Sequence, residues 1–167
     1  MSRYHLLILL VLLIPYPVQG GSNPGSWSQP ELILEGVSHP SLIQDSGGTF
    51  WMVTTGGGDL YLSHSQDGRN WSIPTPLVLW PSQETRPRLV QDAHGIYRLV
   101  FSSNRERSFD LFLATSQDGK MWSAPRLIAQ SPASDSYPST PLQDQQGFYW
   151  LAFVSDRSGT PQLHVLP

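Results

Sequence analysis

Arg86, Arg88, Arg105, Arg107 and Arg157 fall, with several carboxylates, one histidine and one tyrosine, in loops expected at one face. One set comprises His39, Glu84, Arg86, Arg88, Asp135 and Tyr137. A second comprises Asp59, Asn104, Arg105, Glu106, Arg107, Asp110, Asp156 and Arg157. Guanidinium groups grip carboxylates through paired hydrogen bonds, and charged side chains strengthen hydrogen bonds to hydroxyls, so this mix suits a hydroxyl-rich or carboxylate ligand. The candidate ligand contacts are His39, Arg86, Arg88, Arg105, Glu106, Arg107, Asp110, Tyr137, Asp156 and Arg157. The same charges also read as a solvated loop surface. No residue is assigned a catalytic role.

Other chemistries are poorly supplied. The absence of cysteine excludes disulfides, thiolate metal sites and a thiol nucleophile. The five histidines, at 5, 39, 64, 94 and 164, show no metal-ligand spacing. There is no Gly-x-Ser-x-Gly motif. Gly56-Gly57-Gly58 is a short loop with no helix after it to cradle phosphate. The sequence calls for no cofactor and no metal.

Charged residues are only 14% of the chain and the formal net charge is −3, so no basic field would gather nucleic acid. Residues 1–20 have the layout of a secretory signal peptide: Arg3, an apolar run Leu6–Ile14, then Pro15 and Pro17, with cleavage expected after Gly20. That run is too short to cross a bilayer, which takes about 20 residues. The expected location is outside the cell or in the periplasm, with no stable membrane span after cleavage.

The elements that must position the candidate residues are internal repeats. Ser65-Gln66-Asp67-Gly68-Arg69-Asn70-Trp71-Ser72-Ile73-Pro74 matches Ser116-Gln117-Asp118-Gly119-Lys120-Met121-Trp122-Ser123-Ala124-Pro125 at seven of ten positions, 51 residues apart. Upstream, His39-Pro40, Arg86-Pro87 and Tyr137-Pro138 each precede a Gln-Asp-x-x-Gly turn and an aromatic, β-branched run. The repeats cover about 37–80, 84–130 and 135–167, with a further strand expected over 27–35. Each reads as short strands joined by turns: Pro-x-Leu-Ile/Val; the aromatic run; Asp59–Ser63, Asp110–Thr115 or Gln162–Leu166; and Trp-Ser-x-Pro-x-x-Leu. No capped 3.6-residue period occurs in residues 21–167, which predicts an all-β chain.

The block Ser-x-Asp-Gly-x-x-Trp resembles the Asp-box, or bacterial neuraminidase repeat, of the sialidase-like superfamily. It differs by omitting one residue between Asp and Gly and by carrying Asn70 or Met121 before the tryptophan. Phe101–Arg105 and Phe153–Arg157 are similar to segments of propellers in the bacterial Tol system. The resemblance implies a β-propeller of four-stranded antiparallel blades, about three per chain: a partial propeller, or half of a six-bladed ring. It implies a structural role for Ser65, Asp67, Gly68, Trp71, Ser116, Asp118, Gly119 and Trp122, with the tryptophans filling the gaps between blades. Sialidase chemistry implies an arginine clamp, a tyrosine nucleophile with a glutamate beside it, and an aspartate acid/base. Arg86, Tyr137 and Glu106 are of the right kinds, but the constellation does not assemble from the sequence.

Trp27-Ser28-Gln29-Pro30 repeats the opening of a fourth strand, while the third repeat supplies three strands. The expectation is a head-to-tail homodimer in which that strand completes the partner's third blade. The expected function is an exported, non-catalytic module that binds a glycan or an extracellular protein. The alternative is a sialidase-like glycoside hydrolase, or a remnant of one.

Overall fold

The computed structural model describes residues 27–78 and 81–167. The expected signal segment and its cleavage point lie outside the described residues. The chain divides into two units, Met1–Leu32 and Ile33–Pro167. In the first, residues 27–32 have no regular secondary structure.

The second unit is all-β. The first sheet is an antiparallel meander of β1 (Ser38–Gln44), β2 (Phe50–Gly56), β3 (Asp59–Ser65) and β4 (Thr75–Val78). The second repeats it with β5 (Glu84–Gln91), β6 (Tyr97–Ser103), β7 (Asp110–Ser116) and β8 (Arg126–Ala129). The third contains β9 (Asp135–Ser136), β10 (Leu142–Gln143), β11 (Tyr149–Ser155) and β12 (Gln162–Leu166). Both β9 and β10 pair with β11, so they are two pieces of one inner strand interrupted at Tyr137–Pro141. No helix occurs among the described residues. In the single chain residues 27–34, within the strand expected at 27–35, carry no strand pairing. A strand needs a neighbour to accept its backbone hydrogen bonds, and a lone extended segment has none.

Alternate side chains of each sheet point to opposite faces. Trp51, Val53, Leu60 and Leu62 on one face of the first blade meet Leu89, Tyr97, Leu99, Phe101 and Phe112 of the second in a single buried cluster. Val100, Leu111 and Leu113 on the second blade's other face meet Leu151 and Phe153 of the third. Each such side chain contributes about 1.5–3 kcal/mol when fully buried, so the blades hold together mainly through these two seams.

Candidate functional site

The turns at the two ends of the blades are built by different rules. At one end, Ser65 and Asp67 form a closed hydrogen-bond circuit. The Gly68 N–H donates to Ser65 Oγ at 2.9 Å, and the N–H groups of Arg69 and Asn70 donate to Asp67 Oδ1 at 2.8 Å. The Trp71 indole donates to the Gly68 carbonyl at 3.1 Å. Ser116, Asp118, Gly119 and Trp122 repeat every one of these bonds. The backbone donors of Asn70 and Arg69 hold the Asp67 carboxyl far below the usual carboxylate range, and those of Met121 and Lys120 lower Asp118. Trp122 packs on the seam between the first two blades, whereas Trp71 is half-buried and lies outside both seams. The sequence expectation that both indoles fill gaps between blades therefore holds for Trp122 alone. Gly119 has φ +71°, and a Cβ there would fall 2.9 Å from the Trp51 ring of the first blade.

Near these turns the blades are riveted by a second motif. The Asp45 Oδ2 accepts the Trp51 indole at 2.7 Å and the Tyr97 hydroxyl of the next blade at 2.6 Å. Asp92 Oδ2 likewise accepts Arg98 Nε at 3.0 Å and the Tyr149 hydroxyl at 2.6 Å. Burial opposes the charge on both aspartates, but these hydrogen bonds and those of the turn outweigh it and lower both pKa values. Burial and the Asp45 carboxylate push Tyr97 up to about 12. The repeated Gln-Asp-x-x-Gly-x-aromatic block was the sequence signal for this rivet.

At the other end, where the inner strands begin, each of the first two carries a one-residue bulge. The register shifts between Ser38 and Ser41 and between Thr85 and Arg88. Proline cannot donate to the ladder, which is why Pro40 and Pro87 sit at these irregularities. The residue before each proline takes a left-handed backbone: His39 φ 50°, Arg86 φ 54° and, in the third blade, Tyr137 φ 54°. Such a conformation costs about 1–2 kcal/mol for a residue with a Cβ. Arg107, φ 98°, is the other described non-glycine residue with positive φ. All four are among the candidates named from the sequence.

The three left-handed positions set up a row. The Arg86 guanidinium lies 3.9 Å from the Tyr137 ring centroid and 6.0 Å from that of Phe109. His39 Nδ1 is 2.9 Å from Ser38 Oγ and 3.5 Å from Thr85 Oγ1. Tyr137 is 57% exposed despite this stacking. Phe109 and Thr85 belong to the row but carried no sequence signal, because the sheet alone brings them beside Arg86 and His39. Arg88 is half-buried, and its guanidinium donates to the Pro87 carbonyl at 2.8 Å.

Other candidates serve the scaffold. Arg105 donates to Glu84 Oε1 at 3.2 Å and to Ser103 Oγ at 3.1 Å. Arg157 donates to Asp135 at 2.8 Å and to Ser155 Oγ at 2.8 Å. Glu84 and Asp135 are both fully buried, so each arginine neutralises an acid that would otherwise be costly to desolvate. Asn104 and Asp156 accept from the N–H groups of Gln83 and Ser134, pinning the loops that lead into the inner strands. Asp110 is buried beside Ser131, whose N–H reaches Oδ1 at 3.4 Å, while Oδ2 has no partner. Burial raises its pKa, and the Asp135 and Glu106 charges add to the effect. Glu106 and Arg107 are exposed on the loop between β6 and β7. Asp59, half-buried, opens β3. Among the described residues no three His, Asp or Glu side chains converge as a metal-binding group.

No family model and no curated protein sequence matches the chain. Solved structures do. A thermostable family-43 glycoside hydrolase is 15% identical with a TM-score of 0.61, covering 78% of this chain and 47% of its own. An alpha-L-arabinofuranosidase from Clostridium thermocellum is 14% identical with a TM-score of 0.59, covering 77% and 46%. An endo-arabinase from Bacteroides thetaiotaomicron is 15% identical with a TM-score of 0.55, covering 78% and 55%. The chain thus spans about half the length of the structures it matches. At this identity the likeness concerns the fold: the chain is a partial β-propeller, of the architecture these glycoside hydrolases use.

Proposed function

We propose that the protein is an exported propeller module that binds a glycan along the His39–Arg86–Tyr137 row without cleaving it. The observation that carries this reading is the shared left-handed, pre-proline backbone at those three positions. Backbone strain repeated in three blades, beneath three different polar or aromatic side chains, fits a ligand-facing surface better than a packing need. Tyr137 offers an exposed ring edge for the C–H face of a sugar, and Arg86 a cation for a sugar carboxylate or hydroxyl. Glu84 and Asp135, the inner-strand acids nearest in sequence to the row, are committed to Arg105 and Arg157, which supports binding over acid/base chemistry.

The fold likeness favours a second reading, a glycoside hydrolase, of sialidase-like or another type. A glycan array including arabinans, mannosides and sialosides, followed by turnover assays on every binder, separates the two. Binding that Arg86→Ala and Tyr137→Ala abolish, with no product formed, supports the module. Product formation that Arg86→Ala abolishes supports the hydrolase.

A further inference from the structure

We infer that the proton on Asp110 regulates the His39–Arg86–Tyr137 row, so that the row binds its ligand in acid and releases it as pH rises; the inference rests on the glycan-binding reading above. Asp110 is fully buried at the start of β7. The Ser131 N–H lies 3.4 Å from Oδ1, longer than a good hydrogen bond, and Oδ2 has no partner. Glu84 and Asp135 are fully buried too, but each has an arginine: Arg105 for the first and Arg157 for the second.

The charges around Asp110 do not replace that arginine. From the loop between β8 and β9, Ser131 joins it to a second acid, since Ser131 Oγ donates to Asp135 Oδ1 at 3.1 Å. From the loop between β6 and β7, Glu106 adds another negative charge, while Arg107 on that loop is exposed. Arg157, after β11, is engaged by both oxygens of Asp135. Across the sheet, beyond Ser103, Glu84 on β5 is matched by Arg105. A buried carboxylate with no counter-charge costs far more than a buried carboxylic acid, so Asp110 keeps its proton. Burial, with the Asp135 and Glu106 charges, raises its pKa accordingly.

Asp110 is tied to the row on both sides. Phe109 precedes it in the chain, and the Phe109 ring centroid is 6.0 Å from the Arg86 guanidinium. The Phe109 carbonyl accepts the Asp135 N–H at 2.6 Å. Two residues after Asp135 comes Tyr137, whose ring centroid is 3.9 Å from the same guanidinium. Both aromatic walls of Arg86 therefore depend on the contact of Phe109 and Asp110 with Asp135. When Asp110 gives its proton to solvent, the carboxylate has to be hydrated. Hydrating it opens that contact, and opening draws Phe109 and Tyr137 away from Arg86. The closed contact carries the raised pKa, so it is favoured below that value and weakens as pH climbs through it.

The junction between the first two blades supplies an internal control. Its backbone is the same: the Glu84 N–H donates to the Gly58 carbonyl at 2.7 Å, and Asp59 opens β3 as Asp110 opens β7. Its side chains differ. Asp59 is half-buried and already meets solvent, and Gly58 offers no ring in the place of Phe109. Ionisation of Asp59 therefore has nothing to open and no wall of the row to move.

The coupling is read first without a ligand. Side-chain NMR of the unmodified protein follows the Asp110 carboxyl, the Phe109 ring and the Arg86 guanidinium from about pH 4 to about pH 8. The ring-current shift on Arg86 should fade with the same midpoint as the Asp110 carboxyl. Asp110→Asn should hold it constant, whereas Asp59→Asn and His39→Gln, which removes the titrating imidazole of the row, should leave the response in place. Binding of the arabinans, mannosides and sialosides of the array is then compared at the two ends of the range. Affinity should drop by about tenfold or more at the higher pH, one proton supplying at most about tenfold per pH unit, and the drop should vanish in Asp110→Asn. A glycan bound equally at both ends, or Arg86 signals that ignore the Asp110 titration, overturns the inference and leaves glycan binding standing. If no glycan binds, the glycan reading falls and the ligand-free titration alone decides the coupling. That titration uses the unmodified protein, so a variant that fails to fold does not remove the test.

Discussion

The two ends of the blades teach opposite lessons. At the Ser-x-Asp-Gly turns both side chains and geometry repeat: Ser65, Asp67, Gly68 and Trp71 make the same bonds as Ser116, Asp118, Gly119 and Trp122. Their polar groups are spent on their own backbone. At the starts of the inner strands only the left-handed backbone and the proline after it repeat. His39, Arg86 and Tyr137 share a left-handed φ, but their side chains differ. Identity of side chain marks the scaffold. A fixed, strained backbone with a changing side chain marks the surface we propose for recognition.

The largest effect that would sharpen this contrast is at Gly119. A methyl group there meets both a disfavoured φ and the Trp51 ring at 2.9 Å, so Gly119→Ala should cost about 2–4 kcal/mol of stability. Gly68→Ala has φ +72° but a nearest contact of 3.7 Å to Phe50, and should cost only about 1–2 kcal/mol. Urea unfolding of both variants checks the difference. Equal losses would show that close approach across the seam is irrelevant.

Next is the rivet between blades. Tyr97→Phe removes the 2.6 Å bond to Asp45 and should cost about 1–2 kcal/mol, with the aspartate's pKa rising toward its ordinary value. Thermal unfolding and carboxyl NMR titration measure the two parts.

The pH dependence follows from the same groups. Asp45, Asp92, Asp118 and Asp144 all titrate below the ordinary carboxylate value. The unfolded chain therefore takes up protons first. The stability these four supply is present above about pH 4 and is lost as pH falls through their lowered pKa values. Asp110 works the other way, since its pKa is raised. Its contribution is present below the unfolded value and is lost as pH rises through the raised one. Asp110→Asn should therefore gain stability relative to the unmodified protein as pH increases toward 7. Chemical denaturation across the acid range tests both signs.

Much of the scaffold was legible because its signals are local. The 51-residue match of Ser65–Pro74 to Ser116–Pro125 and the alternating runs gave the sheets nearly to the residue: Gln162–Leu166 was read as a strand and is β12. The site was legible only in part. His39, Arg86, Arg107 and Tyr137 stood among the candidates, yet nothing in one dimension separates Arg86 from Arg105. The difference is Glu84, 21 residues before Arg105 and brought to it across the sheet. Asp135 and Arg157, 22 residues apart, are hidden in the same way. Residues 27–35 carry the pattern of a fourth strand, but pairing depends on an edge that the pattern itself does not supply.

The smallest expected stability effect is the most telling, because it should be a gain. His39→Gly relieves a left-handed φ at an exposed position and should stabilise by about 1 kcal/mol. A scaffold residue replaced by glycine would do the reverse.

The most direct test of the account joins stability to binding in one variant. Tyr137→Gly is compared with the unmodified protein by thermal unfolding and by titration with the best glycan from the array. The account predicts a variant at least as stable as the original that no longer binds. A variant that unfolds more easily yet binds the glycan as well as before would contradict it.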